Sequence, residues 1–216
     1  MKFIVKKILL ATFTLLVIFI VFLTLFYYYY NKRKHIVIFC KKPTLGYERK
    51  ILESPLLKPV DNIYRFSYCF FIYLQDYNYR LNSVKPVFVK GSKNNACPGF
   101  YLAKNINSGI ITINTDKGIQ RFSICDIPLR KWVHIAFCVN NGEIDLYRDG
   151  KLVKSSVLGG NCKINSQPII LSDKGGFSGL IYKLTYNPKY LNHIEIKHIS
   201  KHNPPINKKY FLNLLN

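Results

Sequence analysis

Acidic side chains are scarce in this sequence. Its 216 residues contain 11 Asp and Glu against 32 Lys and Arg. A shortage of carboxylates disfavours metal sites built from several acids, and it disfavours catalysis by a pair of acids. The six cysteines form no C-x-x-C pair, so a zinc ribbon or a thioredoxin-like site is unsupported. No N-x-[ST] sequon occurs among the 19 asparagines, which favours a compartment without N-glycosylation or a viral context.

Positive charge is abundant throughout the chain. The formal net charge is +21 at pH 7, and the first 35 residues hold 6 basic and no acidic side chains. The remaining residues carry 26 basic against 11 acidic side chains, a net charge of +15. Two explanations stay open: a polyanionic partner, or a genome rich in A and T, because Lys, Asn and Ile have AT-rich codons. We expect no specific nucleic acid among the partners.

The N-terminal region holds the longest apolar run. Residues 8–26 are uncharged and are interrupted only by three threonines. A helix of that length spans about 28 Å, close to a hydrocarbon thickness of about 30 Å. Tyrosines at 27–30 suit the headgroup level. The alternative is a cleaved signal peptide, but the run exceeds the usual apolar region of about 7–15 residues, and no small-x-small site follows. We therefore predict a single-pass anchor over residues 1–30 that enters the lipid bilayer through residues 8–26.

A period of two dominates the chain from about residue 61 to residue 200. Apolar residues alternate through 133–139, Asn141-Gly142 follows, and Asp149-Gly150 marks a second turn. Both pairs favour tight turns with positive φ, so three strands are predicted to form a meander. A helical period occurs only at 190–199. Many short strands without intervening helices predict an all-β antiparallel sandwich. Further predicted strands cover 65–74, 86–90, 100–103, 109–114, 121–125, 168–171 and 179–186.

Three segments of this region carry a family resemblance. Residues 132–136 read W-V-H-I-A, residues 144–153 read I-D-L-Y-R-D-G-K-L-V, and residues 177–187 read F-S-G-L-I-Y-K-L-T-Y-N. In this order they resemble laminin-G-like domains of the concanavalin A-like lectin/glucanase superfamily. The resemblance implies an antiparallel jelly-roll β-sandwich, preceded here by one transmembrane α-helix, with Trp132 in its core. Calcium-binding members use loop aspartates, and no matching pair can be assigned here. Neither a metal nor another cofactor is therefore expected.

A carboxylate pattern in the second meander strand invites an enzymatic interpretation. Residues 143–145, Glu-Ile-Asp, resemble the E-I-D-x-E motif of glycoside hydrolases on the same fold. Retaining hydrolysis needs two carboxyl groups about 5–5.5 Å apart, and the second acid belongs two strand positions further on, or one more with a bulge. Those positions hold Tyr147 and Arg148. We therefore predict that the protein is not an enzyme and has no catalytic residues.

Tyr77, Tyr79 and Arg80 are the candidate ligand-binding residues. They lie in a polar loop after the first predicted strand, where exposed tyrosines can stack on a sugar or a peptide. The alternative is that they are ordinary strand-edge residues. The histidines at 193, 198 and 202 have no Cys or acid at metal spacing except Glu195, so a surface segment is predicted there and not a zinc site.

The cysteines fall into two groups. Cys69 and Cys138 lie within apolar strands and are predicted to be small buried hydrophobic residues. Cys97, Cys125 and Cys162 fall near strand ends, where a disulfide is geometrically easier. Which of them pair stays open, because the sequence does not select a connectivity.

The predicted organisation is an anchor at 1–30, a juxtamembrane connector at 31–60, a sandwich at 61–200 and a tail at 201–216. The predicted function is a membrane-anchored, lectin-like module that binds a glycan, an acidic polysaccharide or a protein at a membrane surface without catalysis. One alternative is a structural virion protein in the membrane of a large DNA virus, because this chain resembles the proteins of such viruses in its high content of Lys, Asn and Ile. The predicted location is accordingly a membrane, of the host or the virion if the protein is viral. A glycoside hydrolase is a further alternative, but the sequence lacks the second carboxylate that such an enzyme needs.

Overall fold

A long apolar helix forms the first unit of the chain. The computed structural model describes residues 2–33, 36–53, 65–92 and 95–202, and it divides into a unit ending at Ile36 and a unit beginning at Val37. Helix α1 covers Lys2–Arg33, and its stretch Leu9–Tyr28 has a mean hydropathy of 2.8 and is 0% buried. The hydroxyls of its three threonines each donate to the carbonyl three residues earlier, at 2.8–2.9 Å. The helix is therefore long and apolar enough to cross a membrane, with these hydroxyls satisfied internally.

The described residues of the second unit form short β-strands and one helix. Its strands are β1 (Val37–Ile38), β2 (Thr44–Leu45), β3 (Lys50–Leu52), β4 (Arg65–Asp76), β5 (Lys85–Lys90), β6 (Gly99–Leu102), β7 (Ser108–Thr115), β8 (Gly118–Cys125), β9 (Trp132–Asn140), β10 (Glu143–Arg148), β11 (Lys151–Val157), β12 (Ile169–Leu171) and β13 (Ser178–Asn187). A 3₁₀ turn, Asp173–Gly175, precedes β13, and helix α2 (His193–His202) follows it.

These strands form two sheets. Sheet A has the order β1-β13-β4-β9-β10-β11, with β2 also paired to β13, and sheet B has the order β3-β12-β5-β6-β7-β8. All pairings between these strands are antiparallel. The predicted fold class, an antiparallel sandwich preceded by one apolar helix, is confirmed.

The core lies between the two sheets and is rich in aromatic rings. Every second residue of β4 and of β9 belongs to it. Tyr68 stacks on Phe137 with ring centroids 5.3 Å apart, and Phe70 meets Phe100 edge-on at 4.8 Å. The apolar side of residues 133–139, predicted from the period of two, is confirmed as a core face.

Two tight turns join β9, β10 and β11. Asn141 and Gly142 have φ of 44° and 90°, and Asp149 and Gly150 have φ of 50° and 77°, as the predicted meander requires. A Cβ atom at Gly150 would lie 3.1 Å from the Cα of Lys197 in α2. This turn therefore requires glycine both for its conformation and for the close approach of the helix.

Helix α2 covers one part of the outer face of sheet A. Its N-terminus is capped reciprocally: the Asn192 Oδ1 accepts the Glu195 N–H at 3.0 Å, and the Glu195 Oε2 accepts the Asn192 N–H at 3.1 Å. The helix begins after this cap and therefore starts later than the predicted segment 190–199. The buried cluster beneath it contains Cys69, Ala136, Cys138, Tyr147, Leu191 and Ile196.

The predicted connector at 31–60 requires a correction. Residues 37–52 contribute β1 and β2 to the edge of sheet A and β3 to the edge of sheet B. Strands of two or three residues are too short to show an alternating pattern, and the prolines and glycine between them suggested only irregular chain. The sandwich therefore begins near Val37. Residues 54–64 and 203–216 lie outside the described part of the chain, so most of the predicted tail at 201–216 does too.

Trp132 lies outside the core, contrary to the expectation drawn from the family resemblance. It is half-buried on the outer face of sheet A, where its ring meets Tyr73 at 5.6 Å and Tyr182 at 6.3 Å. Trp132 shares the strand parity of His134, which also faces outward, because successive side chains of a strand point to opposite faces.

Candidate functional site

The predicted binding residues Tyr77, Tyr79 and Arg80 form hydrogen bonds to the backbone of two neighbouring loops. All three are half-buried in the loop between β4 and β5. The Tyr79 hydroxyl donates to the Gly175 carbonyl at 2.9 Å, and the Arg80 Nη1 donates to the Gly176 carbonyl at 3.3 Å. Tyr79 and Arg80 therefore meet at one loop, whereas Tyr77 contacts another. Ligand binding by these residues stays a prediction.

Tyr77 contacts the connection between β6 and β7. Its hydroxyl donates to the carbonyls of Ala103, at 3.1 Å, and of Ile106. The buried ammonium of Lys85 lies 4.5 Å from the centre of its ring and donates to the Lys104 carbonyl at 3.2 Å. Burial raises the pKa of Tyr77 and lowers that of Lys85. These contacts give Tyr77 a clear structural role in joining loops.

A groove with a volume of about 580 Å³ lies between the β10–β11 hairpin and α2. We call it the hairpin–helix groove. Its size falls within the range of about 300–1,000 Å³ that is usual for small-ligand sites. Lys151 and Leu152 line it from the hairpin, and Lys197 and Lys201 line it from the helix. The three lysines are exposed, and none of them forms an ion pair within the described residues.

The two carboxylates of the hairpin–helix groove are engaged by the protein itself. The Asp145 Oδ2 accepts a hydrogen bond from the Tyr190 hydroxyl at 2.6 Å, and the Asp149 Oδ1 accepts one from the backbone N–H of His134 at 3.0 Å. The hydrogen bond to Asp145, together with burial, raises the pKa of Tyr190 well above its usual range. The phenol therefore stays protonated and holds Asp145 against the groove wall. The side chains left to meet a ligand are mainly basic.

Strand β10 has no carboxylate at the position where a glycoside hydrolase of this fold would carry its second catalytic acid. Glu143 and Asp145 point to one face, and the next residue on that face is Tyr147, which is only 2% exposed. The Arg148 guanidinium donates to the carbonyls of Cys125 and Asp126. Within the described residues, no group of three or more His, Cys, Asp and Glu side chains could hold a metal ion.

The three terminal histidines and the six cysteines are also placed by the structure. His193 lines the hairpin–helix groove, whereas the rings of His198 and His202 stack on each other at 4.1 Å. All six cysteines are free thiols, and Cys125 alone is exposed. The predicted burial of Cys69 and Cys138 is confirmed.

Sequence reasoning missed the lysines of the hairpin–helix groove. Lys197 and Lys201 are four residues apart and therefore share a helix face, which was a usable signal. Their position beside Lys151 depends on how α2 packs against a turn more than 40 residues earlier. No local pattern carries that information.

The comparisons with known proteins identify the family. Residues 53–197 match the model of the concanavalin A-like lectin/glucanases superfamily, as the laminin-G-like motifs predicted. The chain belongs to this superfamily. No curated protein sequence matches it significantly.

Several solved structures share the fold of this superfamily member. The botulinum neurotoxin serotype G binding domain has a TM-score of 0.60 at 12% identity, covering 75% of this chain and 46% of that one. The receptor binding domain of the C/D mosaic serotype has a TM-score of 0.63 at 12% identity, covering 78% and 46%. The binding domain of neurotoxin DC in complex with rat synaptotagmin II has a TM-score of 0.58 at 15% identity, covering 76% and 46%. The chain thus spans less than half the length of these proteins, and the likeness shows the fold alone.

Proposed function

We propose that the protein is a membrane-anchored, non-catalytic binding module that recognises anionic glycans. One observation carries this proposal: the hairpin–helix groove presents Lys151, Lys197 and Lys201, while both of its carboxylates are held by internal hydrogen bonds. The three lysines outnumber the two aspartates, so the groove as a whole attracts sulfate or carboxylate groups. The hydrogen bonds keep the two carboxylates on the wall and leave the lysine ammonium groups free to meet the ligand. The net charge of +21 acts in the same direction at longer range.

Helix α1 supports the anchoring part of the proposal. Its stretch Leu9–Tyr28 is apolar and wholly unburied, so water would be an unfavourable surrounding for it. We expect the full chain to stay in the membrane fraction after alkaline carbonate washing and to be released by detergent. A chain that starts at residue 36 should be found in the supernatant, and its retention in the membrane would contradict anchoring by α1.

The absence of catalysis rests on the chemistry of strand β10. A retaining glycosidase needs an acid/base and a nucleophile about 5–5.5 Å apart, and the position for the second acid holds the phenol of Tyr147. The superfamily contains both lectins and glucanases, so the fold does not decide this point. Intact recovery of a bound glycan is the expected result.

A glycan and glycosaminoglycan array tests the proposal directly. The full chain, kept in detergent micelles, is applied at low salt and at about 0.15 M salt, where surface charges are screened over about 8 Å. The groove variant is Lys197→Gln/Lys201→Gln. The matched control is Lys117→Gln/Lys163→Gln, which removes the same charge from two exposed lysines outside the groove.

Binding that survives at about 0.15 M salt, and that only the groove variant loses, is the expected result. Equal losses in both variants would show that net charge alone attracts the glycans. No binding to any glycan would overturn the proposal and direct attention to a protein partner, such as the one named for the neurotoxin DC complex. It would equally direct attention to the structural role in a virion membrane.

A further inference from the structure

Tyr101 lies on the outer face of sheet B, away from the hairpin–helix groove. Its neighbours in β6, Phe100 and Leu102, are buried in the core between the sheets. Successive side chains of a strand point to opposite faces, so Tyr101 points outward. It is half-buried, which leaves part of its ring exposed on this face.

The ring of Tyr101 lies close against the backbone of Gly99. A Cβ atom at Gly99 would lie 2.7 Å from the Tyr101 Cε2 and 3.0 Å from the Tyr101 hydroxyl. The first distance is shorter than real Cβ contacts and the second is tight, so the ring occupies space that a side chain at position 99 would need. Glycine inside a strand often marks such a close approach. The Cε2–hydroxyl side of the ring therefore lies over Gly99, and the part of the ring that is not buried is open to a ligand.

Neighbouring side chains hold the ring in place and add polar groups beside it. Thr112 lies opposite Gly99 in β7, and its hydroxyl donates to the Gly99 carbonyl at 3.5 Å and also acts on the phenol of Tyr101. Arg121 lies opposite Thr112 in β8 and is exposed on the same face. Burial raises the pKa of Tyr101, and the Thr112 hydroxyl and the Arg121 guanidinium lower it. The Asp173 carboxylate, which is paired with Arg49 at 3.2 Å, raises it. The guanidinium therefore acts on the phenol across the face of the sheet.

We propose that Tyr101, Thr112 and Arg121 form a stacking subsite for a sugar that carries a sulfate or carboxylate group. A partly exposed aromatic ring can stack on the apolar face of a pyranose. The Arg121 guanidinium offers paired N–H donors to the anionic group. Ile110 faces Tyr101 across β7 and extends the apolar surface beside the ring. This subsite rests on the proposed function, because it assumes that the ligand is an anionic glycan.

Four variants of the full chain in detergent micelles separate the parts of the subsite. Tyr101→Ala removes the ring, whereas Tyr101→Phe keeps the ring and removes the hydroxyl. Gly99→Ala crowds both the ring and the Thr112 hydroxyl, each of which has an atom 2.7 Å from the added Cβ, and Arg121→Gln removes the guanidinium. The probes are an oligogalacturonate, a sulfated maltooligosaccharide and the unmodified maltooligosaccharide, which distinguish carboxylate, sulfate and neutral sugars. Circular dichroism checks the fold of each variant.

We expect Tyr101→Ala to weaken binding of the preferred anionic probe roughly three- to tenfold, as measured by calorimetric titration. Tyr101→Phe should stay within about twofold of the wild type, since the ring supplies the contact. Arg121→Gln should weaken binding of the anionic probes and leave that of the neutral probe unchanged. Saturation-transfer NMR should show contact between tyrosine ring protons and the sugar, and Tyr101→Ala should reduce it.

The outcomes distinguish this subsite from the proposed function. If the wild type binds an anionic probe and Tyr101→Ala binds it equally well, the subsite is wrong and the proposed function stands. If only the pair Lys197→Gln/Lys201→Gln weakens binding, the hairpin–helix groove is the sole site, which also overturns the subsite. If the wild type binds none of the three probes, the proposed function fails and the subsite fails with it.

Discussion

His134 makes a sharp prediction about acid stability. Its side chain is 1% exposed, and its ring lies 4.9 Å from that of Phe71 on the outer side of sheet A. Neither ring nitrogen has a hydrogen-bond partner among the described residues. Burial lowers the pKa of this imidazole from 6.5 to about 4. The folded protein therefore holds His134 neutral in a place where the imidazolium would be poorly solvated.

The sign of the effect follows from proton linkage. Above a pH of about 6.5 the imidazole is neutral in both states, so the full stability is present. As the pH falls from 6.5 towards 4, His134 becomes protonated in the unfolded chain but stays neutral in the folded chain. Each pH unit over this interval lowers the free energy of unfolding by about 1.4 kcal/mol. The total loss from this residue reaches about 3 kcal/mol near the lower pKa.

Urea unfolding of the full chain in detergent micelles, followed by circular dichroism, measures this loss. The variant His134→Leu removes the titrating group, and His193→Gln, which removes an exposed histidine, is the matched control. Between about pH 7.5 and about pH 4.5 the wild type and the control should lose about 2.5 kcal/mol more than His134→Leu. Contributions from the carboxylates are common to all three proteins and cancel in this comparison. Equal pH dependence in the wild type and His134→Leu would refute the reasoning.

Three further predictions concern the turns, the edge strands and the thiols. Gly142→Ala should lower the free energy of unfolding in urea by about 1 kcal/mol, because only its positive φ is strained. Gly150→Ala should lower it by about 2–3 kcal/mol, because its Cβ also meets α2. Equal losses would contradict the contact with α2. A chain of residues 61–216 should unfold at lower urea than one of residues 37–216, since it lacks β1, β2 and β3; identical midpoints would place these strands outside the cooperative unit. A thiol reagent should modify Cys125 rapidly and the other five cysteines only on unfolding, as peptide mass spectrometry can show, and a second fast thiol would contradict the described burial.

Much of the fold was predictable because its signals are local. The alternation in β9 and the pairs Asn141-Gly142 and Asp149-Gly150 determine strands and turns within a few residues of each other. The apolar run in α1 is likewise read without tertiary information. The β1–β3 strands could not be recognised, because two or three residues do not establish a period and their pairing partners lie far along the chain.

The surfaces proposed for binding were less accessible to sequence reasoning. Tyr77, Tyr79 and Arg80 lie in a polar loop as predicted, yet the sequence does not show that their polar ends contact the carbonyls of other loops. The stacking subsite at Tyr101 depends on the close approach of its ring to Gly99. A glycine two residues before a tyrosine is not a sequence pattern that predicts such a contact. The contacts of Tyr77, Tyr79 and Arg80 depend on packing between distant loops, whereas the contact of Tyr101 with Gly99 depends on how the Tyr101 side chain is oriented within β6.

The measurement that tests the central claim most directly is equilibrium binding of one anionic oligosaccharide, followed by recovery of that ligand. The full chain in detergent micelles is titrated at about 0.15 M salt alongside Lys197→Gln/Lys201→Gln, and mass spectrometry then determines the length of the recovered sugar. We predict saturable binding by the wild type, a loss of roughly tenfold or more in the groove variant, and a ligand of unchanged length. Shortened products would make the protein a hydrolase, and undiminished binding by the variant would remove the hairpin–helix groove from its function.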